Sequence, residues 1–189
     1  MATPKLLLQL RGRRLIEIVL EAWIASRVDH VAVVVKENDA QLADYCRRAG
    51  VDVVQPARDP DDMRASIACG LAHLVRHYSP RDNDAWLVAP ADLPGLTKDV
   101  IDSLLENYRP HMPMAVTPVV EGKRAHPVLF PWRLAAELYQ LPPDVGVNRL
   151  VRDAAERGEL QEVAWPDPLV LRDVDTPEDY RAVLNAVLG

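Results

Sequence analysis

Two groups of carboxylates stand directly after short apolar runs, where side chains of this type can bind a metal ion. Asp92 follows the run AWLVA, and Asp173 and Asp175 follow the run LVL. Ligands of open α/β sheets bind outside the carboxyl ends of the strands. Mg²⁺ takes oxygen ligands, typically one or two carboxylates with substrate phosphates and water. Asp92 and Asp175 would form such a site if they converged, but aspartate is also common in turns and caps, so the spacing leaves both interpretations open.

Other catalytic patterns have less support. The eight glycines stand at least 12 positions apart, which excludes the dinucleotide fingerprint G-x-G-x-x-G and the G-x-x-x-x-G-K phosphate loop. No serine lies in G-x-S-x-G, and no cysteine and histidine form a nucleophile pair. Cys46 and Cys69 are predicted to be reduced, buried thiols. His73 and His77 have helical metal-ligand spacing but no evident third ligand, so a solvated helix face is favoured.

Composition excludes several classes of protein. With 189 residues and 49% hydrophobic residues, the chain is long and apolar enough for one folded core. The net charge of −6 argues against a nucleic-acid-binding protein, since such proteins present a basic face to phosphates. No apolar run approaches the roughly 20 residues that span a bilayer, and the N-terminus does not resemble a signal peptide. We therefore expect a cytoplasmic protein that binds neither nucleic acid nor membrane.

The elements that must position the carboxylates follow an α/β pattern, in which buried β-branched strands alternate with amphipathic helices. Predicted strands are 31–35, 51–54, 85–89, 114–120, 127–130 and 169–171, and predicted helices are 13–26, 40–49, 63–77, 98–108, 132–140, 147–157 and 177–188. Asp39 and Thr97 are predicted N-caps. Thr176, Pro177 and Asp179 resemble a capping box with proline at the first helical position. Prolines on both sides of Asp92 predict a loop there.

Six segments in order resemble the MobA-like nucleotidyltransferases, especially their molybdenum-cofactor cytidylyltransferase branch. They are PKLLLQLRGRRLIE, DDMRASIACGL, WLVAPADLPGLT, AHPVLF, DVGVNRLV and RDVDTPEDY, and they extend from Pro4 to near the end of the chain. The resemblance implies a single domain over 1–189. Its expected fold is α/β, three-layer and Rossmann-like, of the nucleotide-diphospho-sugar transferase type, with a mostly parallel sheet and one antiparallel strand.

The resemblance also implies a reaction and its site. Members of the family transfer a CMP or GMP group from CTP or GTP to a phosphorylated acceptor such as molybdopterin cofactor and release pyrophosphate, with Mg²⁺. Asp92 matches the catalytic aspartate that binds the metal beside the nucleotide, and Asp175 matches the second metal-binding carboxylate. Lys5 matches the lysine that closes the phosphate-binding loop, where it would act in catalysis and nucleotide binding. Ser66 falls in the segment that contacts the base or ribose.

Three further residues match the acceptor side of the family's site. They are His126, Asp144 and Gly146, which the resemblance assigns to binding of a molybdopterin-like acceptor. If the chain is instead a non-catalytic relative, we expect it to bind a partner protein in cofactor delivery.

The chain departs from the family pattern in three places. The first strand and its glycine-rich phosphate loop, which relatives carry directly before P-K-L-L-L, do not precede Pro4 here. Asp62 and Ala125 stand where relatives have glycine. Without that middle strand, segments 31–35 and 85–89 are expected to close a gap of roughly one strand. We expect either a start of translation upstream of Met1 or a decayed gene, which the genomic DNA upstream would distinguish.

These departures keep other functions open. One alternative is a catalytically impaired relative of the same fold that binds a nucleotide or a partner protein. Another is a sugar-nucleotide transferase, because acceptor choice depends on the segment 125–148.

Overall fold

The computed structural model describes residues 4–10, 12–142 and 145–188. The helices within these residues are α1 (Leu15–Ala25), α2 (Ala40–Arg48), α3 (Met63–Tyr78), α4 (Lys98–Asn107), α5 (Leu134–Gln140), α6 (Asn148–Glu156) and α7 (Pro177–Leu188). The strands are β1 (Gln9–Leu10), β2 (Arg13–Arg14), β3 (Ala32–Val34), β4 (Asp52–Val54), β5 (Ala85–Val88), β6 (Ala115–Val120), β7 (Lys123–Arg124), β8 (Val128–Pro131) and β9 (Leu160–Ala164). Over the described part, no helix is both long and apolar enough to cross a membrane.

Side-chain caps fix where several helices begin, as the sequence predicts. The Leu42 N–H donates to the Asp39 carboxylate at 3.1 Å at the start of α2, and Thr97 caps α4 through its hydroxyl. At α7, the Thr176 N–H donates to Asp179 at 2.8 Å, while the Asp179 N–H donates back to the Thr176 hydroxyl. These N–H groups have no acceptor within their own helix, so each capping side chain provides the hydrogen bond that the helix itself cannot.

In the main sheet β5 pairs with β8, β8 and β7 both pair with one edge of β6, and β9 pairs with the other edge of β6. β8 is antiparallel to both β5 and β6, and β9 is parallel to β6. The predicted mostly parallel sheet is not confirmed, because β8 lies between two strands of one direction and makes both of those ladders antiparallel. The α/β class is confirmed.

Helices cover both faces of this sheet. Phe130 of β8 packs in an apolar cluster with Leu71 of α3, Leu134 of α5 and Leu150 of α6. The next residue back along the strand, Leu129, lies on the opposite face, against Leu104 of α4. Because alternate strand residues point to opposite faces, these contacts place the sheet between two layers of helices.

A wide cavity separates the main sheet from the β3–β4 pair. β3 is parallel to β4, and within the described residues neither strand of this pair has a partner in the main sheet. The cavity between β3 and β5 has a volume of about 1100 Å³. Closure of a one-strand gap by these two segments was therefore a wrong expectation. Apolar side chains of α1 and α3, including Val19 and Ile67, line the cavity.

Two segments near the C-terminus differ from the sequence prediction. The run LVL, predicted as a strand, is a single 3-10 turn over Pro168–Leu171, which Asp167 caps at the Leu169 N–H. The strand in this region is β9, which the sequence analysis missed. It contains the adjacent polar residues Gln161 and Glu162, and its residues are half-buried or exposed, so it lacks the buried apolar run that identified the other strands.

Asp102 is a buried carboxylate that ties α4 to the end of α1. It accepts hydrogen bonds from the Arg27 N–H at 2.8 Å and from Lys98 Nζ at 2.5 Å, with its side chain 10% exposed. We expect Asp102→Ala to lower the free energy of unfolding by about 1–3 kcal/mol, because the Arg27 N–H loses its acceptor. Urea denaturation measures this loss, and the exposed Asp99→Ala on the same helix serves as the control.

The same carboxylate gives a dependence on pH. Burial by itself raises the pKa of Asp102, but the hydrogen bonds from Lys98 and Arg27 outweigh burial and hold the pKa below its usual value. Its contribution to stability is therefore complete above about pH 4 and is lost as the pH falls through the lowered folded-state pKa. An Asp102→Ala penalty of the same size at pH 2.5 and pH 7 would contradict this assignment.

Candidate functional site

Three of the predicted site residues meet at one point of the structure. Lys5 Nζ lies 2.7 Å from Asp175 Oδ1 and also contacts Asp92 Oδ2. The ammonium group therefore bridges the two carboxylates. Asp92 is mostly buried, with 15% of its side chain exposed, whereas the exposed fraction of Asp175 is 63%. The convergence of Asp92 and Asp175 that the sequence left open is thus present in the folded chain.

The backbone holds the two carboxylates together. Asp92 lies in the loop that follows β5, and its carbonyl oxygen accepts a hydrogen bond from the Val174 N–H at 3.1 Å. Val174 is fully buried and directly precedes Asp175. The loop of Asp92 and the segment that leads to Asp175 are therefore linked through main-chain atoms as well as through Lys5.

Gly95 permits a second close approach between the same two segments. A Cβ atom at this position would stand 2.2 Å from the carbonyl carbon of Leu169 and 2.3 Å from its oxygen. Real Cβ atoms do not approach backbone atoms this closely. Glycine is therefore required here for space, so that the loop after β5 can pack directly on the 3-10 turn that precedes Asp175.

The charges at the site keep Lys5 protonated. Burial by itself lowers the pKa of Lys5, but hydrogen bonds to Asp175 and Asp92, together with their negative charges, outweigh burial and raise the pKa above its usual value. An ammonium group within contact of two carboxylates leaves a net charge of about −1 on this cluster. The cluster therefore keeps an excess of negative charge even with Lys5 in place.

The donor chemistry of this pair fits a hard divalent cation. No group of three or more His, Cys, Asp or Glu side chains that could hold a metal occurs within residues 4–10, 12–142 and 145–188. Two carboxylates match the usual protein contribution to Mg²⁺, which keeps several waters and takes its other ligands from substrate phosphates. Asp92 and Asp175 would hold such an ion.

The remaining candidates lie along the large cavity. Ser66, His126 and Gly146 are all part of its wall, and so is Asp173. Lys5 is not part of that wall, but the cavity reaches Ala91 and Leu93, on both sides of Asp92. The predicted residues therefore form two adjoining groups, the charged cluster and the cavity wall. Asp144 lies outside the described residues.

His126 is a half-buried imidazole whose pKa lies below its usual value. Burial lowers its pKa, and hydrogen bonding to the Val88 backbone and the charges of Asp173 and Asp92 offset burial only in part. Its Nδ1 atom is buried and has no hydrogen-bond partner among the described residues. An unpaired polar atom at a cavity wall costs free energy unless a ligand or water satisfies it, which makes His126 suited to hydrogen-bond a ligand.

Sequence reasoning missed two polar groups near this cavity. Trp86 on β5 is 3% exposed, lines the cavity, and has an indole N–H without a partner in the described structure. Arg64 in the first turn of α3 donates to the Leu141 carbonyl at 3.0 Å and so ties α3 to the loop after α5. No local signal in the sequence distinguishes Trp86 from the other three tryptophans.

The two positions that depart from family glycines have structural roles. Asp62 is the N-cap of α3, since its carboxylate accepts from the Ala65 N–H at 2.7 Å. Ala125 is buried in the apolar cluster around α1 and α4. Both side chains are thus accommodated by local structure.

Comparisons with known proteins agree with this architecture. Residues 1–162 match the MobA-like NTP transferase domain. The chain is 27% identical over 196 residues to the purine catabolism protein PucB of Bacillus subtilis (strain 168). This alignment covers 99% of this chain and 91% of that protein.

Solved structures show the same fold. A nucleotidyl transferase from Methanothermobacter thermautotroptrophicus superposes with a TM-score of 0.79 at 22% identity, over 97% of this chain and 85% of that one. Rv0371C of Mycobacterium tuberculosis H37Rv, solved as a complex with manganese, superposes with a TM-score of 0.75 at 23% identity, over 97% and 92% of the two chains. At these identities the likeness concerns the fold alone.

Proposed function

Because the chain belongs to the MobA-like NTP transferase family, we propose that it transfers a CMP or GMP group from CTP or GTP to a phosphorylated acceptor of the molybdopterin type. In this reaction an oxygen of the acceptor phosphate forms a bond to the α-phosphorus of the nucleotide. The bond from the α-phosphorus to the oxygen that bridges to the β-phosphate breaks, and pyrophosphate leaves with that oxygen.

The observation that carries this proposal is the contact of Lys5 with both Asp92 and Asp175. Phosphoryl chemistry needs positive charge near the phosphates, because negative charge develops on the leaving pyrophosphate. These three side chains bring together an ammonium group and two carboxylates that can hold a metal ion. Lys5 would offset that charge, as a protonated amine with a flexible stem. Asp92 and Asp175 would hold Mg²⁺, which when bound would neutralise phosphate charge and orient the triphosphate.

The cavity wall would hold the organic parts of the substrates. Ser66 presents a hydroxyl at the first turn of α3, suited to the base or ribose of the nucleotide. We assign His126 and Gly146 to the acceptor, with Asp144 as a further acceptor contact. The unpaired Nδ1 atom of His126 supports a hydrogen bond to a polar acceptor group.

Pyrophosphate release tests this proposal. The purified protein is incubated with Mg²⁺, CTP or GTP, and a molybdopterin-type acceptor, and pyrophosphate is measured by an enzyme-coupled assay. We expect release that requires both nucleotide and acceptor. If calorimetric titration shows that the nucleotide binds but no pyrophosphate is released, the result would instead favour a catalytically impaired relative of the same fold. Turnover with a sugar phosphate in place of the pterin would identify a sugar-nucleotide transferase.

His126→Ala provides a separate test of the acceptor side. We expect the KM for the acceptor to rise about tenfold, the cost of roughly one hydrogen bond to a buried group, while the KM for the nucleotide stays within twofold. Steady-state titration of each substrate in turn measures both values. His111→Ala, at an exposed position, is the control. A rise in the KM of the nucleotide alone would move His126 to the nucleotide side.

A further inference from the structure

The Lys5 ammonium group occupies the position between the two carboxylates of the site. It contacts Asp92 Oδ2 and lies 2.7 Å from Asp175 Oδ1, so it uses one oxygen of each side chain. Lys5 therefore joins Asp92 to Asp175 through a single positive charge. The protein thus carries its own counter-ion at the place where the proposed metal would bind.

An ammonium group and a divalent cation compete for such a pair of carboxylates. A protonated amine has no lone pair to offer a metal, and it repels a second cation at short range. Lysine side chains carry a positive charge at neutral pH, and Lys5 holds this charge in contact with both carboxylates. The metal can take both carboxylates only when the amine moves away.

The Lys5 side chain is able to make that movement. One third of it is exposed, and four rotatable bonds separate Nζ from the backbone. Leu7, two residues further along the same 3-10 turn, is buried and anchors the segment. The side chain can therefore swing out from the carboxylates while its backbone stays in place.

We propose that Lys5 and the divalent cation exclude each other from the Asp92–Asp175 pair, so that Lys5 keeps the metal affinity of the free protein low. This inference rests on the metal site of the proposed function. It adds that a nucleotide phosphate, an alternative anion for Lys5, raises the metal affinity by drawing the amine away. By linkage, the metal raises the affinity for the phosphate by the same factor.

Titration with Mn²⁺ in the absence of nucleotide tests the exclusion. Free Mn²⁺ is followed by its electron paramagnetic resonance signal in the unaltered protein and in Lys5→Met. We expect Lys5→Met to bind Mn²⁺ about tenfold more tightly, a typical size for coupling between two ligands of one site. Lys5→Arg, which retains the positive charge, should bind Mn²⁺ about as weakly as the unaltered protein.

Two controls separate this effect from general changes. Lys123→Met removes an exposed positive charge on β7 and should leave the Mn²⁺ affinity unchanged. Lys5→Gln provides a second neutral variant should Lys5→Met not fold. An equal or weaker Mn²⁺ affinity in the neutral variants, or no binding by any variant, would overturn the proposal. Because the titration contains no nucleotide or acceptor, its result stands apart from the pyrophosphate assay that tests the transferase.

Discussion

Asp92→Asn is expected to lower the rate of pyrophosphate release by about 10²–10³-fold, the loss typical when an enzyme loses one group that stabilises transition-state charge. The amide retains the size of the carboxylate but removes the charge that would hold a divalent cation. Lys5 keeps Asp175 as its partner, so the free energy of unfolding should change by less than about 1 kcal/mol. Steady-state kinetics and urea denaturation measure the two effects separately.

The control for Asp92→Asn is Asp61→Asn, which removes a carboxylate that is 79% exposed and lies outside the site. Its activity should equal that of the unaltered protein. Asp175→Asn tests the second carboxylate and should also be impaired. If Asp92→Asn retains activity within twofold while Asp61→Asn is normal, Asp92 takes no part in the reaction.

Gly95→Ala is expected to destabilise the protein by about 3 kcal/mol, at the upper end of the usual cost of an extra methyl group in a packed site. The new Cβ would lie 2.2 Å from a backbone atom of Leu169, and backbone cannot rotate aside as a side-chain end can. For a domain of this size, the loss corresponds to a fall in Tm of roughly 6–12 °C. Thermal unfolding monitored by circular dichroism measures it.

The same substitution should also impair activity at temperatures where the protein remains folded. Relief of the clash requires the loop of Asp92 to move away from the 3-10 turn that precedes Asp175, which would separate the carboxylates. Gly70→Ala is the matched control, since its Cβ would lie 3.5 Å from Val34 in ordinary contact. In the interior of α3 that alanine should be neutral or stabilising by up to about 1 kcal/mol. Unchanged Tm and activity in Gly95→Ala would contradict the required close approach.

Local features of the fold were predictable from the sequence because the residues that decide them are neighbours in the chain. The caps at Asp39 and Thr97 act on an N–H three residues away. The loop at Asp92 follows from prolines on both sides of it and from the buried strand before it. The same local logic failed at LVL, where a run of three apolar residues is too short to distinguish a strand from a 3-10 turn.

The pairing of strands was less predictable, because it depends on partners distant in the chain. β8 lies between β5 and β6, which decides that those ladders are antiparallel. Nothing in the apolar segment 31–35 shows that, among the described strands, β3 pairs only with β4. β9 was missed because its partly polar sequence contains no buried apolar run. It forms a strand through its parallel ladder with β6, which is distant in the chain.

The sequence by itself determined the family, the helix starts and the candidate residues Lys5, Asp92 and Asp175. Only the tertiary structure decided that these side chains meet, since Lys5 and Asp175 are 170 residues apart. Two contacts between distant segments bring them together: the hydrogen bond from Val174 to Asp92 and the close approach of Gly95 to Leu169. Such contacts depend on how whole elements pack, and no spacing of residue types along the chain specifies them.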